Sequence, residues 1–256
     1  MCGRYSLTTP VEALRQLFLF PELLNLAPRV NIAPTQMVPA VRLGSPDAPG
    51  GDAGLGAAAA GRHLVMLRWG LVPFWAKDLG IGSRMINARG EQVAEKPAFR
   101  AAFKRRRCLI LADGFYEWRK EAGGKQPYRV ARADGAPFAF AGLWERWTDS
   151  ASADEIESCT IITTEANGLL RAIHNRMPVI LDPTDHDAWL APETAPEELQ
   201  RLLQHVPAAA LRAYPVSKRI GAVANDTLDL IEPVGPDLGA AAAAQRDDPA
   251  RQPRLL

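Results

Sequence analysis

Cys2 directly follows the first methionine in Met1-Cys2-Gly3-Arg4-Tyr5. Once Met1 is removed, this residue carries a free α-amine and a thiol on neighbouring carbons. The two nucleophiles can close on one aldehyde carbon as a five-membered thiazolidine, which no internal cysteine can do. With an α-amine pKa of about 7.7 to 8.0 and a thiol pKa of about 8.5, roughly a third of the amine and a tenth of the thiol are reactive near pH 7.5. Cys is small enough for ordinary trimming of the methionine ahead of it. Taken alone, position 2 reads more simply as a small residue at a frayed chain end.

Three further polar residues sit in apolar or aromatic company. Asn87, in Ile86-Asn87-Ala88-Arg89, is an amide that could hold an amine or polarise a carbonyl, or simply form a turn. Arg89 follows it on the same side of an extended chain. Glu117 lies within Asp113-Gly114-Phe115-Tyr116-Glu117-Trp118, where aromatic burial would raise its pKa and suit it to proton transfer. A strand residue facing solvent is the plainer alternative. His174, in Ile173-His174-Asn175-Arg176-Met177-Pro178, is the best acid–base candidate among four histidines, the others being His63, His186 and His205.

Cations also gather locally, although the formal net charge is only +1. Arg68-Trp69-Gly70-Leu71-Val72-Pro73-Phe74-Trp75, followed by Lys77 and Arg84, interleaves guanidinium groups with rings as a single-stranded nucleic acid site would. Core aromatics are the ordinary explanation. Arg100, Lys104, Arg105, Arg106 and Arg107 form a second cluster, more simply read as a solvated helix face. The sequence has no Gly-rich phosphate loop and no His-Glu-x-x-His pair, so no cofactor or metal is expected.

The elements that must position these groups follow from composition and pattern. At 256 residues and 47% hydrophobic content, one large domain can bury a full core. With no apolar run long enough to span a membrane, no secretory signal and three cysteines without a Cys-x-x-Cys pair, a soluble, cytoplasmic protein is expected. Cys108 and Cys159 read as buried strand residues. Thr9-Pro10-Val11-Glu12 predicts a capping box and a helix over 10–20, leaving residues 2–7 extended. Strands are expected over 37–43, 63–69, 108–112, 115–119, 127–131, 138–144, 158–164 and 177–181, and helices over 97–107, 184–190 and 196–205. Residues 44–61 read as a flexible insertion, and 234–256 as a disordered tail after a domain over 1–233. Strands without βαβ alternation exclude a doubly wound parallel sheet, so the class is α+β.

Jointly, Met1-Cys2-Gly3-Arg4-Tyr5, Asn31-Ile32-Ala33-Pro34, Trp69-Gly70-Leu71-Val72-Pro73, Asn87-Ala88-Arg89, Asp113 to Trp118 and Ile173 to Pro178 resemble the SOS-response-associated peptidase family of abasic-site processing proteins. The resemblance runs from Met1 to about Pro233. It implies a mainly antiparallel, curved or barrel-like sheet with flanking helices in a single domain, acting as a monomer. It also implies that mature Cys2 forms a thiazolidine with the ring-opened aldehyde of an abasic site in single-stranded DNA, shielding the lesion. In that pattern Asn87 positions the Cys2 amine and the sugar, Glu117 handles the amine proton, and His174 assists ring opening or crosslink reversal. Arg4, Pro34, Trp75, Arg84, Arg89, Thr163 and Thr164 are the implied DNA contacts. Release of Met1, by the protein itself or by an aminopeptidase, and weak abasic-site lyase activity are further expectations. Two rival readings are a cysteine hydrolase using Cys2, His174 and Asn87 on amide bonds, and a noncatalytic single-strand binding module.

Overall fold

The computed structural model describes residues 2–44 and 61–238. In chain order it contains β1 (Tyr5–Leu7), α1 (Val11–Phe18), β2 (Arg29–Ile32), β3 (Met37–Leu43), β4 (Arg62–Trp69), β5 (Asn87–Arg89), α2 (Arg100–Arg105), β6 (Arg107–Ala112), β7 (Gly114–Glu121), β8 (Gly124–Arg132), β9 (Phe138–Thr148), β10 (Glu155–Glu165), β11 (Arg176–Pro178), β12 (Ile180–Leu181), α3 (His186–Leu190), α4 (Pro196–Leu202) and β13 (Leu211–Pro215), with short 3-10 turns between them.

β10, β4, β3, β6 and β9 neighbour one another in that order. β9 then pairs back onto β10, from Thr148 opposite Glu155 to Gly142 opposite Ile161, so five strands close into a barrel. Closure removes the exposed edges that an open sheet would leave. All residues of β6 are buried, which accounts for its unbroken apolar sequence. A second, open antiparallel sheet has the order β13-β8-β7-β1-β2. Tyr5 joins the two sheets: its ring meets Trp69 and Phe140 edge-on, with centroids 5.3 and 5.7 Å away. Such pairs contribute about 1 kcal/mol each beyond burial.

β7 is covered on both faces. Tyr116 and Trp118 belong to a small apolar cluster with Val30, Tyr214, Val216, Ile220 and Leu230. Phe115 belongs to the main core, and the two-residue period of a strand turns Glu117 to that same side. The alternative of a solvent-facing Glu117 is therefore excluded, since the residue is buried.

The expected α+β class with a barrel-like, mainly antiparallel sheet is the observed architecture. The first helix is shorter than its pattern, because Leu19 adopts a left-handed conformation (φ 57°) that ends it after Phe18. Its predicted capping box does not form. Thr9 gives its backbone N–H and hydroxyl to the Asp113 carboxylate instead. The apolar stretch 177–181 splits into β11, on β10, and β12, on β9. β2 and β13 were not expected. The insertion, apart from its rims Gly44 and Gly61, lies outside the described residues; β3 and β4 pair as a hairpin up to Leu43 opposite Arg62 beside it. Of the expected tail, 234–238 is described: Val234 N–H donates to Pro215 at 2.9 Å and Leu238 N–H to Ala213 at 2.6 Å. Among the described residues no helix is long and apolar enough to cross a membrane.

Candidate active site

The start of the chain is fastened to β7. Tyr5 pairs with Phe115 and Ser6 with Gly114, and Tyr116 N–H donates to the Arg4 carbonyl at 2.9 Å. This antiparallel register, continued backwards, brings Gly3 opposite Glu117, with Cys2 one residue further along the chain. Asp113 clamps the other side of β1. Its carboxylate accepts from the Ser6 hydroxyl at 2.7 Å, the Thr8 hydroxyl at 2.8 Å and Arg129 at 3.1 Å. Burial pushes the Asp113 carboxyl up, but the hydrogen bonds from Ser6 and Thr8 and the Arg129 charge outweigh it and leave it below its usual range.

Cys2 is fully buried, with its thiol 3.8 Å from the Arg4 carbonyl oxygen. Burial, and secondarily the negative charge of Glu117, push that thiol well up. Both influences favour the neutral S–H over the thiolate. Burial likewise raises the Glu117 carboxyl, while His174 acts on it in the opposite direction. Glu117 is thus within electrostatic reach of both the thiol and the imidazole.

Asn87 arrives from another direction, on β5, which lies parallel to β10 with Asn87 opposite Ile161. Its Nδ2 donates to the Cys2 carbonyl at 2.8 Å. Its Oδ1 is buried without a hydrogen-bond partner among the described residues. A buried acceptor left empty is costly, so this oxygen is poised for a donor such as an amine or a sugar hydroxyl. His174 follows a 3-10 turn, its N–H donating to Leu170 at 2.8 Å. Its Nδ1 accepts from the Arg176 backbone N–H at 3.0 Å, so the neutral ring carries its proton on Nε2. Cys2, Asn87, Glu117 and His174, far apart in sequence, thus share one site.

The residues expected at DNA separate into groups. Trp75 is 48% exposed, as is fitting for stacking, whereas Trp69 is fully buried with its indole N–H on Ile86. Arg84 and Arg89 are exposed, and Pro34 and Thr164 are half-buried. Arg4 is occupied within the protein, donating to Asn31 at 2.6 Å and to the Ile220 carbonyl at 3.1 Å. Thr163 departs from the expected contact role: it is fully buried, its hydroxyl directed at the Ala88 carbonyl at 3.3 Å. Its place is between β5 and β10 rather than on the surface.

Two residues gain importance from the structure. Asp113 holds the strand that presents Cys2; the hydroxyls of Ser6, Thr8 and Thr9 were its signal in the sequence. Arg176 forks onto Glu91 at 2.6 and 2.9 Å and donates to the Thr163 carbonyl at 2.7 Å, tying the His174 segment to β10. The other histidines lie elsewhere: His63 pairs with Glu22 at 2.8 Å, and His186 is stacked on Phe18, its pKa lowered by burial to about 4. Among the described residues no three His, Cys, Asp or Glu side chains gather as a metal ion would require.

Residues 1–223 match the family model described as SOS response associated peptidase (SRAP). The chain is 39% identical over 238 residues to the abasic site processing protein YoqW of Bacillus subtilis, covering 91% of this chain and 99% of that one. It is 34% identical over 174 residues to YedK of Escherichia coli, which bears the same description, covering 67% of this chain and 76% of that one. A crystal structure of a Bacteroides thetaiotaomicron protein matches with a TM-score of 0.78 at 24% identity, covering 91% of this chain and all of that one. One from Bordetella bronchiseptica matches with a TM-score of 0.70 at 28% identity, covering 84% of this chain and all of that one.

Proposed function

The chain belongs to the SOS response associated peptidase family, and from that premise we propose that it processes abasic sites in single-stranded DNA by capturing them covalently on Cys2 once Met1 has been removed. The observation that carries this reading is the convergence of Asn87, Glu117 and His174 on a buried residue one position from the chain start. Family relatives described as abasic site processing proteins support the substrate class.

In the proposed reaction the Cys2 amine attacks the C1′ aldehyde of the ring-opened sugar and forms a carbinolamine. Loss of its hydroxyl as water leaves an imine. Sulfur then bonds to the same carbon, the electron pair of the C=N bond moves to nitrogen, and nitrogen takes a proton as the thiol gives one up. One water is released overall. A buried carboxyl with a raised pKa can be protonated when the hydroxyl departs and deprotonated when the amine or thiol must lose its proton. Asn87 Oδ1 offers an acceptor to the amine, and His174 Nε2–H offers a donor for sugar-ring opening. Exposed Trp75, Arg84 and Arg89 would hold the flanking strand, by stacking and by phosphate contact.

The thiol's environment favours this route over amide hydrolysis. A cysteine hydrolase needs a thiolate stabilised by a cation, with a lowered pKa, and Cys2 is displaced in the opposite direction by burial and by Glu117. In the capture reaction the amine adds first and the thiol adds afterwards to a reactive imine carbon. Incubation with an abasic oligonucleotide followed by denaturing electrophoresis tests the reading. A shifted band supports capture, and retention only under native conditions would favour a binding module.

A further inference from the structure

The basic cluster over 100–107 is sorted by the fold. Arg107 is buried and donates to the carbonyls of Trp189, Phe103 and Lys104 at 2.6 to 2.8 Å, so it serves the core. Arg106 pairs with the buried Glu145 at 2.6 Å. Lys104 and Arg105 remain exposed in the last turn of α2, with no ion pair among the described residues. Together with Phe74, Ala101, Arg106 and Glu145 they line a cavity of about 400 Å³.

Phe74 is 62% exposed, more than Trp75, and the two are the central residues of one turn. That turn is closed by the Ala76 N–H on the Pro73 carbonyl at 2.8 Å and bound to β9 by the Trp147 indole N–H on the Ala76 carbonyl, also at 2.8 Å. β9 supplies Glu145 as well. The cavity therefore has a fixed wall, and Phe74 owes its exposure to a held backbone. A bare ring beside two exposed cations that have no ion pair among the described residues has the chemistry of a nucleotide site, the ring for a base face and the cations for phosphate.

We propose that this cavity is a second nucleotide-binding subsite for single-stranded DNA, continuing the strand beyond Trp75, with a base against Phe74 and its phosphates on Lys104 and Arg105. It rests on the capture reading above and extends the contact surface away from Cys2. Its signature is length: short oligonucleotides that reach only the Cys2 site do not feel it, and longer ones do.

The test compares the parent protein with Phe74→Ala and with the double variant Lys104→Glu/Arg105→Glu on fluorescent oligonucleotides from about four to about sixteen nucleotides. The expected result is unchanged affinity for the shortest and about a tenfold loss for the longest, with a shallower salt dependence for the double variant, by about 0.7 per lost phosphate contact. All three side chains are exposed, so the melting temperature should hold. Identical binding across the whole series, or an equal loss at every length, would overturn the proposal. Capture of a short abasic oligonucleotide, run alongside, reports on the Cys2 chemistry separately: it can fail while the length dependence stands, and the reverse.

Discussion

The Asn87 side-chain amide donates to the backbone carbonyl of Cys2 at 2.8 Å. This one bond ties the chain start, held by the open sheet, to β5, held by the barrel. It fixes where the α-amine of Cys2 would lie and leaves Asn87 Oδ1 as a buried acceptor beside it. Replacing Asn87 with Ala should lower the rate of covalent capture on the order of a hundredfold, the scale for losing one oriented polar group in an active site. Affinity for intact single strands should change little. A capture time course at saturating DNA checks this, and an unchanged rate would remove Asn87 from the mechanism.

Glu117 gives two linked pH effects. Burial raises its carboxyl, so between the ordinary carboxylate range and that raised value the folded state holds more protons than the unfolded one. Stability contributed by this group therefore falls as pH rises through that window. Glu117→Gln should remove the dependence, gaining on the parent as pH rises and levelling off above it in denaturant titrations. The same substitution should slow capture at every pH, since Gln cannot exchange a proton.

Asp113 is expected to matter through position rather than contact with the sugar. Its carboxylate gathers Ser6, Thr8, Thr9 and Arg129. Asp113→Ala leaves Arg129 buried beside an empty site and should destabilise the fold by about 3 to 5 kcal/mol. Because its folded pKa is depressed, the parent keeps this stabilisation above the ordinary carboxylate range and loses it as pH falls through the lowered value. Melting curves on both sides of that range compare the two proteins directly.

The Arg176–Glu91 fork predicts a gain. Glu91 is half-exposed and holds its carboxylate where Arg176 presents paired donors, the geometry that a phosphate's oxygens also satisfy. Glu91→Gln weakens that internal competitor and should raise the affinity for single-stranded DNA several-fold at low salt. Anisotropy titrations over a salt series would show it, and weaker binding would mean that Glu91 orders Arg176 for DNA instead.

The parts of this site legible in the sequence were those marked by residue type. Cys2 is unusual by position, Glu117 by its aromatic company, and Asn87 and His174 by their apolar flanks. The barrel's strands were visible because β3, β4, β6 and β10 are apolar runs bounded by turns. Ring closure was not visible, since it depends on β9 and β10 pairing along lengths that pass well beyond their apolar centres. The capping box misled because Thr9 had a stronger competitor in Asp113, more than a hundred residues away. Trp69 and Trp75 look equivalent among their basic neighbours, yet one is core and the other is surface. Thr163 and Thr164 differ likewise, by the alternation of a strand whose inward face only the tertiary packing defines.

The most direct measurement uses sodium borohydride, which fixes an imine but is not needed to hold a thiazolidine. The parent protein and Cys2→Ala, each with Met1 removed, are incubated with an abasic single strand, with and without reductant, then denatured and weighed intact. The parent should give the same adduct either way, equal to the sum of the two partners less one water and lacking Met1. Cys2→Ala should be trapped only when reductant is present. A stable adduct from Cys2→Ala without reductant, or a parent adduct that still carries Met1, would contradict capture by the aminothiol.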